Sequence, residues 1–285
     1  MTPESLRRVA GLGDVIDPYK LLLIDAYGVL HDGRQVFPGV NETLARIRST
    51  GRTVIIVTNS PQRVEGVAFR LSHVGVGHGL YDHIASSGEL TWRDLETRNA
   101  DGELPRLHFI TQGSGVRWQA LVPNPVVEDM AEADLIIAAG MPHGTEAEAL
   151  ASPLLVALDA ARSRDLPMLV ADSDETYPLD GMIRLGPGWI AQHYAGLGGT
   201  IVEYGKPHDP IYDEAMRLAG AVGPKEVLMI GDNLKTDVRG ASRRGFDSLL
   251  VLEGGVHGGL TPAELTAAAA ANGAAPTYVT RGLSW

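Results

Sequence analysis

The sequence predicts an α/β fold with a mostly parallel sheet and a second α/β domain inserted into it. Short apolar runs alternate with helical patterns near both ends of the chain, and four of these runs finish on polar residues. The middle of the chain has strands and helices of its own. Such alternation is typical of βαβ units, whose strands run parallel. A chain of 285 residues is long enough for one large domain or two.

The first part of the predicted core contains two strands and two helices. KLLLID (20–25) is a candidate buried strand. PGVNETLARIRSTG (38–51) begins with proline, has an apolar face at helical spacing and ends at glycine, which predicts a helix. TVIIVTN (53–59) is the next predicted strand, and PQRVEGVAFRLSHVG (61–75) is the helix after it.

The same alternation returns near the C-terminus. The predicted strands there are TIVEYGKP (200–207), EVLMIGDN (226–233) and DSLLVLEGG (247–255). The predicted helices are DPIYDEAMRLAG (209–220), TDVRGASRRG (236–245) and the capped, alanine-rich TPAELTAAAAANGAAP (261–276).

The middle of the chain predicts a separate α/β domain. Its candidate strands are LHFITQG (107–113), ADLIIAAG (133–140) and PMLVADSD (167–174), and its helices lie within 145–165 and 188–198. Because it separates two halves that make one sheet, we predict an inserted domain. The predicted bounds are a discontinuous core of residues 1–80 and 205–285 and an insert of residues 81–204.

Composition narrows the range of partners. The net charge of −11 disfavours non-specific binding to nucleic acid or to anionic membranes, both of which need a basic face.

The chain has no cysteine, which excludes disulfides, thiolate nucleophiles and zinc–thiolate sites and suits a reducing compartment. With no apolar leader and no long apolar segment, we predict a cytoplasmic protein. A homodimer is compatible with the sequence.

Polar residues stand at the carboxyl ends of four predicted strands. In an open α/β sheet, ligands bind in the crevice beyond those ends, so these side chains are expected to converge. The strand-end residues are Asp25, Thr58 with Asn59, Lys206, and Asp232 with Asn233.

The chemistry of these residues favours a phosphoryl group. Asp25 and Asp232, facing each other, need a cation or a proton between them, and oxygen-only ligands favour Mg²⁺. A hard cation beside Lys206 and hydroxyl or amide donors suits phosphate. With no cysteine and no evident Ser–His pair, Asp25 is the natural nucleophile, through an acyl-phosphate intermediate. Asp237, in the first turn of the next helix, could fix Lys206 or a metal-bound water.

Four segments together resemble the haloacid dehalogenase (HAD) superfamily of phosphohydrolases: DAYGVL, VTNS, YGKP and GDNLKTD. The large insert closed by GKP resembles subclass IIA, whose cap is an α/β domain. The resemblance implies a Rossmann-like core with helices on both faces and an inserted α/β cap. It also implies Asp25 as nucleophile and phosphate held by Thr58 and Lys206. Mg²⁺ would be held by Asp25, Asp232 and the backbone carbonyl of Tyr27.

Tyr27 departs from the family pattern. Family phosphatases usually carry a second aspartate there, which protonates the leaving oxygen and then activates water. A phenol with a pKa of about 10 is a poor base at neutral pH. Loss of a general acid–base typically costs about 10² to 10⁴ in rate. We therefore expect a weak or selective phosphatase acting on a small phosphorylated metabolite.

Two alternatives remain open from the sequence. DAYG is also similar to the nucleophile motif of 2-haloacid dehalogenases, in which aspartate attacks carbon and no metal is needed. A phosphometabolite-binding protein that has lost turnover is the other. In the insert, Asp174, Tyr177 and His193 are candidate substrate contacts, although a position in a solvated loop is the better explanation for each of them.

Overall fold

The structure is a computed structural model that describes residues 6–111, 116–179 and 182–285. The chain divides into two compact units, each described by itself. The core unit comprises Met1–Thr58, Val67–Ala85 and Lys206–Trp285, and the middle unit comprises Asn59–Gly66 and Ser86–Gly205.

Twelve strands are found in the described residues. They are β1 (Leu21–Ile24), β2 (Thr53–Thr58), β3 (His83–Ser86), β4 (Leu107–Ile110), β5 (Leu135–Ala138), β6 (Met168–Val170), β7 (Thr176–Leu179), β8 (Met182–Leu185), β9 (Ile201–Glu203), β10 (Val227–Gly231), β11 (Asp247–Val251) and β12 (Tyr278–Thr280).

Nine α-helices are found in the same described ranges. They are α1 (Val40–Ser49), α2 (Val64–His73), α3 (Ser87–Ala100), α4 (Glu146–Leu150), α5 (Pro153–Arg162), α6 (Pro187–Gly196), α7 (Asp209–Ala219), α8 (Arg239–Arg244) and α9 (Pro262–Ala271). None of the α-helices found in these described ranges meets the length and hydropathy that a membrane span requires.

The core unit is built on a six-stranded sheet in the order β12-β11-β10-β1-β2-β3. The strand β1 pairs in parallel with both β2 and β10, and β10 and β11 continue the parallel ladder to β12. All four residues of β1 are buried, as expected for a parallel strand covered on both faces. The predicted parallel α/β sheet is confirmed.

The register of this sheet aligns the ends of its central strands. Ile24 of β1 is paired with Ile230 of β10 on one side and with Ile56 of β2 on the other. The residue after Ile24 and the residue after β10 therefore leave the sheet at the same edge. These two residues are Asp25 and Asp232.

The middle unit has a four-stranded parallel sheet in the order β4-β5-β6-β9 and a separate antiparallel pair, β7 with β8. One side of the sheet packs a cluster that includes Tyr194 and Ile190, and another cluster contains Trp118 and Trp92. The two tryptophan rings meet edge to face with centroids 5.6 Å apart. The end of the predicted strand 107–113 lies partly outside the described residues.

Two predicted helices differ in detail from those observed. The helical region 145–165 is two helices, because Ser152 caps α5 by accepting from the Leu154 amide and Pro153 occupies the first turn. The segment 236–245 begins as a π-helical turn, Leu234–Val238, before α8. The strands β3, β7, β8 and β12 were not predicted, since runs of three or four residues carry little periodic signal.

Two helical glycines give a matched test of packing. Alanine at Gly240 of α8 would place its methyl 2.0 Å from the hydroxyl of the buried Tyr212, whereas alanine at Gly196 of α6 meets nothing within 4 Å. Thermal unfolding should show Gly240→Ala destabilised by about 1–3 kcal/mol from overpacking. Gly196→Ala should be neutral or stabilised by up to about 1 kcal/mol. Equal behaviour of the two variants would contradict this packing.

Candidate active site

Three carboxylates converge at the carboxyl edge of the core sheet. Asp25 follows β1, Asp232 follows β10, and Asp237 lies in the π-helical turn, a feature frequent at functional sites. Each offers a carboxylate oxygen, and these oxygens lie within 4.8 Å of one another. All three side chains are buried. Residues far apart in sequence are thus brought into one acidic cluster.

Lys206 lies within this cluster and is only 1% exposed. Its ammonium nitrogen is 2.6 Å from Asp25 Oδ1 and 2.9 Å from Asp237 Oδ1. Lys206 therefore links Asp25, which follows β1, to Asp237 in the π-helical turn. One ammonium against three carboxylates leaves the cluster with two excess negative charges when all are ionised.

The pKa values of two of these carboxylates are raised by burial and by the excess of negative charge in the cluster. Burial, together with the charges of Asp25 and Asp237, raises the pKa of Asp232 well above its ordinary value. Burial also raises the pKa of Asp237, although Lys206 opposes the change. A divalent cation would neutralise the excess charge, and the oxygen-only donor set fits Mg²⁺.

Asp232 is closely surrounded by backbone. A methyl group at Gly28, whose φ is +81°, would come within 2.6 Å of Asp232 Oδ2. A methyl at Gly255 would come within 2.4 Å of Asp232 Cβ, and the Val256 amide donates to Asp232 Oδ2 at 2.9 Å. Glycine is thus required on two sides of this carboxylate, and a third group fixes its rotation.

Thr58 and Asn59 stand together at the end of β2, and both are buried. The Asn59 side-chain amide donates to Asp174 Oδ1 at 3.0 Å. A methyl at Gly205 would lie 2.5 Å from Asn59 Oδ1, so this end of the carboxamide adjoins the residue that precedes Lys206. The predicted insert residue Asp174 is therefore joined to a predicted strand-end residue within the middle unit.

The neighbouring Asn233 caps the π-helical turn. The side-chain oxygen of Asn233 accepts a hydrogen bond from the Lys235 backbone amide at 2.9 Å, and the Asn233 backbone amide donates to Asp237 Oδ2 at 3.1 Å. These two hydrogen bonds fix the conformation of the chain from Asp232 to Asp237, two of the three clustered carboxylates.

Tyr27 lies two residues after Asp25 and is partly buried. Its ring meets that of His31 edge to face, with centroids 5.7 Å apart and planes at 87°. His31 Nδ1 accepts from the Gly33 amide at 2.9 Å, and burial lowers the pKa of His31 to about 4, so this imidazole is neutral at pH 7. The phenol is thus held against a neutral aromatic neighbour.

The other candidates of the middle unit lie on separate elements. Tyr177 is on β7, and burial raises its pKa. His193 is on α6, where its ring stacks on that of Trp189 with centroids 5.6 Å apart. Residue types alone could not distinguish these from ordinary packing positions.

Sequence reasoning missed the segment that covers Asp232. Gly255 and Val256 contact this carboxylate, and the neighbouring His257 accepts from the Leu234 amide at 3.2 Å. In the glycine-rich run EGGVHGG (253–259), the sequence pattern predicts only that the first three residues end a strand. Its paired glycines were the available signal, because close backbone approach requires glycine.

Two family models match the chain. The model described as haloacid dehalogenase-like hydrolase matches residues 22–116, and the one described as HAD-hydrolase-like matches residues 203–285. Chronophin from Rattus norvegicus is 27% identical over 257 residues, covering 87% of this chain and 81% of that protein. The 5′-nucleotidase YutF from Bacillus subtilis is 25% identical and covers 86% of this chain and 90% of its own length.

Solved structures share the fold of this chain, and one of them also shows its family. A hydrolase of the haloacid dehalogenase-like family from Brucella suis is 30% identical, with a TM-score of 0.78, and the match covers 96% of this chain and 99% of that one. A p-nitrophenyl phosphatase from Archaeoglobus fulgidus, 22% identical, shares the fold with a TM-score of 0.65 over 92% of this chain and 95% of its own. The chain therefore belongs to the haloacid dehalogenase-like hydrolase family, with the organisation of subclass IIA.

Proposed function

We propose that the protein is a Mg²⁺-dependent phosphatase that hydrolyses a small phosphorylated metabolite through an aspartyl-phosphate on Asp25. The observation that carries this proposal is the buried cluster of three carboxylates around Lys206. The relatives support the substrate class, since they include a 5′-nucleotidase and a p-nitrophenyl phosphatase. In this proposal the middle unit serves as the cap.

Asp25 is the nucleophile in this mechanism. A carboxylate oxygen of Asp25 attacks phosphorus, the bond from phosphorus to the substrate oxygen breaks, and that oxygen leaves with the bonding electron pair. Water then attacks phosphorus of the aspartyl-phosphate, and the bond from phosphorus to the Asp25 oxygen breaks, which restores the carboxylate. One proton of this water stays on the released phosphate and the other protonates the substrate oxygen that left in the first step. Lys206, 2.6 Å from Asp25 Oδ1, would compensate the charge of the phosphoryl oxygens, and Thr58 would donate its hydroxyl to them.

The metal would be held by Asp25, Asp232 and the backbone carbonyl of Tyr27. When bound, Mg²⁺ compensates the charges of the phosphoryl group and of the carboxylates. Asp237 holds Lys206 at 2.9 Å, and the Asn233 amide in turn donates to Asp237. The chain's own residues thereby keep the nucleophile and the lysine in fixed positions.

Tyr27 determines which substrates turn over fastest. A neutral phenol is a weak proton donor compared with a carboxylic acid and a poor base at neutral pH. Leaving groups that depart without a proton, such as aryl or acyl groups, are therefore favoured over simple alcohols. Hydrolysis of the aspartyl-phosphate is expected to be slow for the same reason.

The remaining residues complete the proposal. Asn59 would join Thr58 and Lys206 in binding the phosphate, and Asp174, Tyr177 and His193 would be substrate contacts. The proposal includes a cytoplasmic location, which the cysteine-free sequence suits. Assembly as a homodimer is part of the same proposal, and sedimentation measures it directly.

The first experiment tests phosphatase activity and the nucleophile together. Release of phosphate is measured from p-nitrophenyl phosphate, an acyl phosphate and a sugar phosphate, with Mg²⁺ and with EDTA. Asp25→Asn should lower Mg²⁺-dependent turnover at least about 10³-fold, since the nucleophile is lost. Asp17→Asn is the matched control, because this carboxylate side chain is 99% exposed, and it should retain full activity.

Other outcomes identify the alternatives. Halide release from a 2-haloacid in EDTA would favour the dehalogenase suggested by DAYG. Tight binding of phosphorylated compounds without turnover would favour a binding protein. Full activity in Asp25→Asn would assign the activity to another residue or to a contaminant.

The second experiment tests the role of Tyr27. Tyr27→Asp should raise kcat/KM for an unactivated alkyl phosphate about 10-fold or more, because it supplies a general acid–base. The gain should be smaller for p-nitrophenyl phosphate, whose leaving group needs no proton. Tyr27→Phe keeps the ring and removes the hydroxyl, so it should give no gain. An equal rate for Tyr27→Asp and the native enzyme on every substrate would contradict the acid–base argument.

A further inference from the structure

The segment that begins at Leu252 lies directly against the candidate metal ligand Asp232. The Val256 amide donates to Asp232 Oδ2 at 2.9 Å. The Gly255 backbone is so close that a methyl there would be 2.4 Å from Asp232 Cβ. The position of this segment therefore sets the rotation of the Asp232 carboxylate.

His257 connects this segment back to the chain that carries Asp232. Its Nε2 accepts from the amide of Leu234 at 3.2 Å. Leu234 is two residues beyond Asp232 and opens the π-helical turn that contains Asp237. Two hydrogen bonds therefore link the segment 255–257 to the segment 232–234. The Val256 amide donates to Asp232, and the Leu234 amide donates to His257.

His257 must be neutral to accept the hydrogen bond from the Leu234 amide, and its surroundings favour the neutral form. Burial lowers the pKa of His257, which favours the neutral imidazole at pH 7. A neutral imidazole has one nitrogen able to accept, and the Leu234 amide assigns that role to Nε2 and the proton to Nδ1. A charged imidazolium could not accept this bond.

We propose that His257 is a positioning residue for the metal site, because it holds the Gly255–Val256 backbone against Asp232 and so fixes the carboxylate for Mg²⁺. This inference rests on the metal ligand set of the proposed function. Partners that orient a ligand from outside the coordination sphere commonly change metal affinity about 10- to 100-fold when removed. His257 touches no substrate in this proposal and acts only through the backbone it holds.

The test is direct titration of each protein with Mg²⁺ in a calorimeter, without substrate. His257→Gln keeps an acceptor oxygen at about the reach of Nε2 and should bind Mg²⁺ within about twofold of the native protein. His257→Asn places its oxygen too close to the backbone to reach Leu234 and should bind about 10-fold more weakly. His78→Asn is the matched control on an exposed histidine of the core unit and should not change affinity.

A second readout separates positioning from a general loss of folding. At saturating Mg²⁺, His257→Asn should recover kcat to within about twofold of the native value, since only metal affinity is lost. Gly255→Ala tests the same segment without altering the imidazole, and its methyl should also weaken Mg²⁺ binding, even if His257→Asn fails to fold.

Native Mg²⁺ affinity in either His257→Asn or Gly255→Ala would overturn the proposal. A His257→Gln variant as weak as His257→Asn would also overturn it, because the acceptor would then not matter. Absence of Mg²⁺ binding by the native protein would instead remove the metal from the proposed function, and this inference with it. Binding by the native protein with unchanged affinity in the variants would leave the proposed function intact.

Discussion

The burial of three carboxylates around a single lysine is the constraint on which this structure depends. Like charges in a low-dielectric interior repel one another and lose their hydration, so such a cluster is costly unless cations or hydrogen bonds offset it. Lys206 contacts two of the carboxylates, Asp25 and Asp237, and backbone amides contact Asp232 and Asp237. The fold therefore maintains an arrangement that favours binding of a further cation.

Close backbone approach makes this arrangement possible. Methyl groups at Gly28 or Gly255 would meet Asp232, and a methyl at Gly231 would lie 2.1 Å from Asp237 Cγ. Any side chain at these positions would displace a carboxylate. Because these glycines have no side chain, their backbone can lie directly against the carboxylates. The Val256 amide, next to Gly255, can then donate a hydrogen bond to Asp232. Geometry and electrostatics depend on the same few positions.

The sequence could predict the central strands of the core sheet, because buried strands have a local pattern, but the strand before Lys206, β9, lies in the sheet of the middle unit and not in the core sheet. The apolar runs before Asp25 and Asp232 mark buried strands, and parallel pairing places their ends on one edge. The partners of these residues could not be predicted in the same way. The bond from Asn59 to Asp174 and the bond from Leu234 to His257 join residues 115 and 23 positions apart. Such contacts follow from tertiary packing, which residue spacing does not encode.

The residues around Tyr27 are arranged to fit its aromatic ring. Its ring packs edge to face on His31, and a methyl at Gly33 would come within 3.0 Å of the ring at Tyr27 Cε2. Gly33 also has a φ of +89°, and its amide holds the His31 ring through Nδ1. The loop from Tyr27 to Gly33 therefore accommodates an aromatic ring at position 27 through His31 and through the absence of a side chain at Gly33.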